Sequence, residues 1–262
     1  MLTSQVIFLK LKSGNPRHIK GNHVHGLFFK KILRFANPQL ADYLHSSDTP
    51  KPFSISYIYQ KGQIFWFRIA SWDDLIAQAV FDYFKHQFEI RINQCTFELI
   101  KTSTDATESP WAARIEMKKQ IQLSQSFAKD TFWLEHYSPT SFKCGDAHLP
   151  LPVPELIIKS ICRNIPAQIK NTIVEPPERL LKKIQLKEHR INSVYNKKNY
   201  GAIASFTGKT HWQIAKNASE SERNALLTLF HFAFYAGIGV KTTQGMGMCR
   251  IRALTWDKKS GF

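Results

Sequence analysis

The sequence predicts an α+β fold: two tandem ferredoxin-like (RRM-like, βαββαβ) domains and a C-terminal glycine-rich loop. Two observations carry this. Across residues 6–101 the apolar pattern switches between strand-like alternation and helical spacing in the order β-α-β-β-α-β. The remainder repeats that order less clearly and ends on helix, glycine-rich loop and strand. A length of 262 residues suits two domains. The stretch Thr102-Ser-Thr-Asp-Ala-Thr-Glu-Ser-Pro110 reads as the linker, giving domains 1–108 and 109–262.

The elements follow in order. Val6–Leu11 alternates as a strand, and Gly14-Asn-Pro is a turn. Leu27, Phe28, Ile32, Leu33 and Phe35 recur at helical spacing within 24–35, and Asn37-Pro38 interrupts that helix. A short helix over 38–44 follows. Phe53–Tyr59 and Ile64–Ala70 form a hairpin about Gln60-Lys-Gly-Gln63. Ser71 is expected to cap a helix from Trp72 to about His86, with two aspartates in its first turn. Phe88–Lys101 supplies one or two more strands.

In the second half Ala113–Ser124 is strand-like, 138–154 is a proline-rich loop, and 155–164 is a helix. The stretch 169–199 is ambiguous. Tyr200–Thr207 and Thr210–Ile214 read as a hairpin about Thr207-Gly-Lys. Ser219 and Glu222 form a capping box for a helix ending at Ala236, and an alternating strand runs from Met246 to Leu254.

Lys and Arg total 36 against 20 Asp and Glu, a formal net charge of +16, which suits a polyanionic partner. No apolar run reaches the roughly 18 residues of a membrane helix, and residues 1–11 read as a strand rather than a signal peptide. Nucleic acid is therefore the expected partner and cytoplasm the expected location. Cys95, Cys144, Cys162 and Cys249 form no Cys-x-x-Cys pair, and no His-Glu-x-x-His occurs, so neither a metal nor another cofactor is expected.

The densest signal is Tyr235-Ala-Gly-Ile-Gly-Val-Lys-Thr-Thr-Gln-Gly-Met-Gly-Met-Cys-Arg250. Gly237, Gly239, Gly245 and Gly247 stand in two Gly-x-Gly pairs about Lys241. Glycine admits positive φ and close backbone approach, so the loop reads as a cradle for a phosphate chain. A tight turn that merely needs glycine is the plainer alternative.

Several segments together resemble the Cas6 family of CRISPR RNA-processing endoribonucleases. They are the two ferredoxin-like halves and the loop Gly237-Ile-Gly-Val-Lys-Thr-Thr-Gln-Gly-Met-Gly247. To these add Asn37-Pro-Gln-Leu-Ala-Asp-Tyr-Leu-His45 with Lys51-Pro-Phe, and Ser138-Pro-Thr-Ser-Phe142 with Leu151-Pro-Val-Pro-Glu155. The resemblance implies cleavage of CRISPR precursor RNA within its repeats. Without a metal, such cleavage needs a base for the 2′-OH, a cation for the phosphoryl charge and an acid for the 5′ oxygen. Its products are a 2′,3′-cyclic phosphate and a 5′-OH, and DNA is not cut.

His45 falls on the family's Leu-His motif, which implies a general base, and Lys51 falls on the following lysine position, which implies phosphate stabilisation. Some members carry a third catalytic group, a tyrosine, on the first helix. Here that place is Phe29 or Lys30, and Phe29 cannot transfer a proton. His23, His25 or Lys30 then inherits the role, or it is absent. Other members place a catalytic histidine on that helix, so His25 rivals His45. With these candidates in the first half, the glycine loop is expected to hold RNA backbone or to pack across the domain junction.

RNA binding is expected from Lys30, from the loop and from a basic run of Arg179, Lys182, Lys183, Lys187, Arg190, Lys197 and Lys198, with Glu188 the sole acid between them and Tyr195 and Tyr200 beside the last pair. A solvated charged face is the plainer reading. Gly208-Lys-Thr210 lacks the glycine five residues earlier that a P-loop needs, since Ile203 is there. Other Cas subunits are candidate partners, and the protein itself is expected to be a monomer or homodimer. The competing reading is a non-catalytic repeat-RNA-binding subunit of a CRISPR surveillance complex, which the Phe29 departure favours.

Overall fold

The structure, a computed structural model, describes residues 1–252 apart from 48, 128, 174, 199 and 200, and leaves out the side chains of 196–198 and 201. It divides into two compact units. One is Met1–Glu116 with Lys241–Gly245; the other is Met117–Val240 and the chain from Met246 onward. The stretch 102–110 does not separate them. Ser103 ends a strand, Trp111 and Ala112 are buried, and Ala113–Ile115 pairs with the first strand, so the first unit continues to Glu116.

The first unit holds β1 (Leu2–Ser13), β2 (Phe53–Ile55), β3 (Tyr59–Lys61), β4 (Ile64–Ser71), β5 (Glu89–Ile92), β6 (Cys95–Ser103) and β7 (Ala113–Ile115). The sheet order is β2-β4-β1-β6-β5, with every pair antiparallel. This is the ferredoxin-like arrangement with β5 added outside β6. Alternation sets its inner face: Ile7, Leu9, Phe65, Phe67, Ile69 and Phe97 meet Phe28, Ile32, Ile76 and Phe84 of the helices in one core. Gly62, at φ +61°, makes the two-residue hairpin that joins β3 to β4.

The first helix spans 21–36 and is longer than its apolar pattern suggested. It comprises an α-helical start (Gly21–Leu27), a π-helical stretch (Phe28–Leu33) and a last turn (Arg34–Ala36). Asn37, extended as the residue before a proline prefers, then caps the Pro38–Ser46 helix through a 2.9 Å bond from the Leu40 amide. The helix expected from Trp72 begins at Asp74. Its cap is Asp73, which accepts from the Ile76 amide at 3.1 Å, while the Ser71 hydroxyl accepts from the Asp73 amide.

The second unit holds β8 (Thr131–Thr140), β9 (Phe142–Cys144), β10 (Ala147–Leu149), β11 (Ile184–Lys198), β12 (Gly201–Ile214) and β13 (Cys249–Arg252). The order β11-β12-β8-β13, again antiparallel, with helices Pro154–Asn164 and Glu220–Ala236, is a second ferredoxin-like unit. Three expectations change here. Strand-like Ala113–Ser124 splits into β7 and a helix, Met117–Gln125, in which Ser124 bonds back to the Gln120 carbonyl. The loop expected from 138 overlaps the end of β8. The hairpin about Gly208 is instead one continuous strand, β12, with Gly208 (φ +128°) at a register shift against β8. A Cβ there would lie 2.2 Å from the Arg190 carbonyl oxygen, so glycine marks a bulge, not a turn. Leu254 and Tyr200 lie outside the described residues.

The Ser219–Glu222 capping box forms as read, with bonds of 2.7 and 3.2 Å. Among the described residues no helix is long and apolar enough to cross a membrane.

Candidate active site

The 21–36 helix and the Pro38–Ser46 helix meet in a cleft of about 490 Å³ lined by His25, Gly26, Phe29, Lys30, Arg34, Ala41, Asp42 and His45. The sequence dictates this meeting. Asn37-Pro38 breaks the chain direction, and Phe29, Leu33, Ala41 and Leu44 bury into the core on either side. The π-helical stretch inserts extra width between His25 and Arg34, and π-turns recur at functional sites.

Phe29 packs against both histidines. Its ring centroid is 4.7 Å from that of His25 and 5.5 Å, edge-on, from that of His45. It also packs on Phe28 and Phe53, at 5.4 and 5.8 Å, which fixes its own position. The His25 Nδ1 lies 2.8 Å from the Thr243 carbonyl oxygen. His45 is exposed on the last turn of its helix, where a cation also complements the helix dipole. His23 takes a different job: its Nδ1 accepts from the Lys20 amide at 3.0 Å as part of a helix cap, and burial followed by the Lys20 charge lowers its pKa.

The cations rearrange the expectation. Lys30 and Arg34 line the cleft, with Arg34 bonded to Asp42 at 2.7 Å across it. Lys51 does not line it; its ammonium donates to the Ser47 carbonyl in the turn after the second helix. Arg34 was not singled out from the sequence, although it stands four residues after Lys30. No group of three or more His, Cys, Asp or Glu able to hold a metal occurs among the described residues.

The glycine loop departs from a phosphate cradle. The amides of Gly237, Gly239 and Gly247 donate to the Ala233 carbonyl, the Ser160 hydroxyl and the Pro139 carbonyl, at 2.8, 2.7 and 3.0 Å. Gly239 and Gly247, both at positive φ, carry backbone in close approach, where a Cβ would stand 2.3 Å from the Ser141 oxygen and 2.1 Å from the Ile238 oxygen. These glycines are buried, and their amides are spent inside the second unit. Gly245 packs on the Tyr57 ring in the first unit. Lys241, left-handed at φ +56°, is the exposed cation of the loop.

The basic run is partly neutralised from outside its own sequence. Arg179 bonds Glu222 at 2.9 Å and Glu175 at 3.3 Å, and Lys183 lies 3.7 Å from Glu222. The Ser219 amide, then the Arg179 guanidinium, holds the Glu222 carboxyl below the usual carboxylate range against its burial. Arg190 pairs with Glu188 at 2.7 Å and lies over Trp133 at 5.2 Å. Lys187 is exposed, and Lys182, Lys183 and Lys216 line a shallow hollow of about 450 Å³. The side chains of Lys197 and Lys198 lie outside the described residues.

The fold agrees with what comparison with known proteins finds. The model of the CRISPR-associated endoribonuclease Cas6 matches residues 134–249, and that of the CRISPR Cas6 N-terminal domain matches residues 1–63, together more than half of the chain. A CRISPR-associated endoribonuclease Cas6 of Streptococcus thermophilus is 22% identical over 247 residues, 93% of this chain and 96% of that one. A Thermus thermophilus Cas6 in a product complex superposes with a TM-score of 0.77 at 20% identity, covering 96% of this chain and all of that one. A Cas6 substrate-mimic complex superposes at 0.72 with 21% identity, covering 96% and 99%. With family models matching both halves, and a ferredoxin-like sheet in each unit, the chain belongs to the Cas6 family of CRISPR-associated endoribonucleases.

Proposed function

We propose that this protein cleaves CRISPR precursor RNA within its repeats by attack of a 2′-OH on the adjacent phosphate. The observation that carries the reading is the cleft lined by two imidazoles, both in contact with Phe29, together with Lys30 and Arg34. Cas6 relatives solved with product and with a substrate mimic support RNA as the ligand.

In this reading His25 removes the 2′-OH proton. The oxygen attacks phosphorus, the bond to the 5′ oxygen breaks, and His45 returns a proton to that oxygen. Lys30 and Arg34 offset the charge gathering on the phosphoryl oxygens. Lys51 supports the turn beyond the second helix through the Ser47 carbonyl. The ends left are a 2′,3′-cyclic phosphate and a 5′-OH. The chemistry needs no metal, because side chains supply acid, base and cation.

Incubation of the protein with repeat RNA in excess EDTA tests this. Cleavage at an undiminished rate with a cyclic phosphate end is expected, and a single 2′-deoxy substitution at the scissile nucleotide should stop it. Loss of cleavage in EDTA, restored by a divalent metal, would overturn the mechanism. Binding without cleavage under every condition would instead favour the non-catalytic subunit that Phe29 suggests.

RNA backbone is held, in the same proposal, by the Lys182, Lys183 and Lys216 hollow with Lys187, and by Lys241. Affinity should then fall with salt, log K against log salt having a slope of roughly −0.7 to −0.9 per phosphate contacted. Filter binding across a salt series reads it. Replacing Lys182 and Lys216 together should flatten the slope by about two such contacts, and an affinity indifferent to salt would remove the electrostatic account.

A further inference from the structure

We propose that the segment Lys241–Gly245 is a positioning device for His25, its Thr243 carbonyl fixing which ring nitrogen carries the proton. This rests on the reading of His25 as the base. A carbonyl oxygen only accepts, so the 2.8 Å contact to Nδ1 requires a proton on Nδ1. A neutral imidazole has one N–H, and its lone pair is then on Nε2, the nitrogen that takes the 2′-OH proton. When His25 becomes an imidazolium, the Nδ1–H bond persists and strengthens as a charge-assisted one.

The segment is fixed against the elements that carry His25. Gly21 opens the 21–36 helix, one turn before His25, and a Cβ there would stand 1.8 Å from the Gln244 carbonyl oxygen. Gly245, at φ +102°, lies on the Tyr57 ring, where a Cβ would come within 2.4 Å. Gly245 also bridges to Ser56, and the Gln244 amide donates to the Lys241 carbonyl at 2.9 Å in a tight turn. The Phe29 ring also packs on the imidazole, with centroids 4.7 Å apart. Gly21 and Gly245 are thus glycines of contact: each lets the segment close to the distance at which Thr243 reaches the ring.

The test pairs ring ¹⁵N spectra of histidine-labelled protein, His25 being assigned by the peak lost in His25→Gln, with single-turnover cleavage of repeat RNA. In the neutral ring, Nδ1 should give the protonated, pyrrole-like signal and Nε2 the pyridine-like one. Gly21→Ala forces the segment outward. It should mix the two tautomers and slow cleavage by about 10-fold to 10²-fold, read at saturating RNA so that any affinity lost through Lys241, which moves with the segment, does not enter. If Gly21→Ala unfolds, Gly245→Ala, which meets the Tyr57 ring instead, carries the same comparison. A wild-type spectrum with the proton on Nε2 overturns the proposal, and so does a variant with mixed tautomers that cuts at the full rate. Full cleavage by His25→Ala, with the wild-type proton still on Nδ1, would sink the assignment of His25 as base while leaving the carbonyl contact intact, so the two failures are told apart.

Discussion

Replacing His25 with alanine is expected to slow repeat-RNA cleavage by about 10²–10⁴-fold while RNA affinity changes little. The imidazole is held between the Phe29 ring and the Thr243 carbonyl, an arrangement that costs side-chain freedom and is set at the mouth of a cleft with two cations. Alanine removes the proton acceptor and leaves the Phe29 packing on Phe28 and Phe53 in place, so stability should hold. His45→Ala should give a comparable loss through the acid step. It should be partly relieved on a substrate whose 5′ oxygen is replaced by sulfur, a leaving group that needs no proton. His25→Ala should gain no such relief. Single-turnover rates with normal and thio-substituted RNA make the comparison. Wild-type cleavage by both single variants would remove the cleft from the chemistry altogether.

Acid should destabilise the fold between about pH 6.5 and pH 3, and His136 supplies much of the reason. It lies fully buried on β8, against the Phe206 ring at 4.9 Å, with Nε2 3.0 Å from the Thr210 hydroxyl. Burial lowers its pKa from 6.5 to about 3. Burial likewise takes His231, beside Phe127, to about 4. A base whose folded pKa is depressed binds its proton in the unfolded chain first. Its contribution is therefore whole above pH 6.5 and is lost as pH falls toward the folded value. At about 1.4 kcal/mol per unit, His136 alone accounts for a few kcal/mol. Melting temperatures followed from pH 7 to pH 4 should fall steeply in the wild type and less steeply in His136→Gln. Equal slopes would show that the imidazole is not the group responsible.

Much of the first unit was legible in sequence because its inner face is apolar at every turn of the pattern: Ile7 and Leu9, Phe65 and Phe67, Leu27 through Leu33. β8 was not. Its inward residues run Phe132, Leu134, His136, Ser138, Thr140, so the alternation loses its hydrophobic half midway. The Met117–Gln125 helix buries Ser124 rather than an apolar stripe, which left its period unreadable. Gly208 was read by the turn habit of glycine where the chain uses it for a bulge.

In the cleft, His25, His45 and Lys30 were reachable from the sequence. Arg34 was hidden by the π-helical stretch, which changes which residues share a face. The partners of Arg179 and Lys183 were hidden because Glu222 arrives from a distant helix. The glycines were recognised as special, but a sequence does not say whether an amide faces a ligand or, as with Gly239, the Ser160 hydroxyl.

The excursion of residues 241–245 into the first unit has a consequence for biosynthesis. The first 116 residues leave the ribosome without the five that pack on Gly21 and Tyr57. At 5–20 residues per second, translation takes on the order of 10 s to reach them. On the proposed mechanism, a nascent chain that stops short of Thr243 carries both histidines without the carbonyl that orients His25, and should cut RNA only once residues 241–245 have been made.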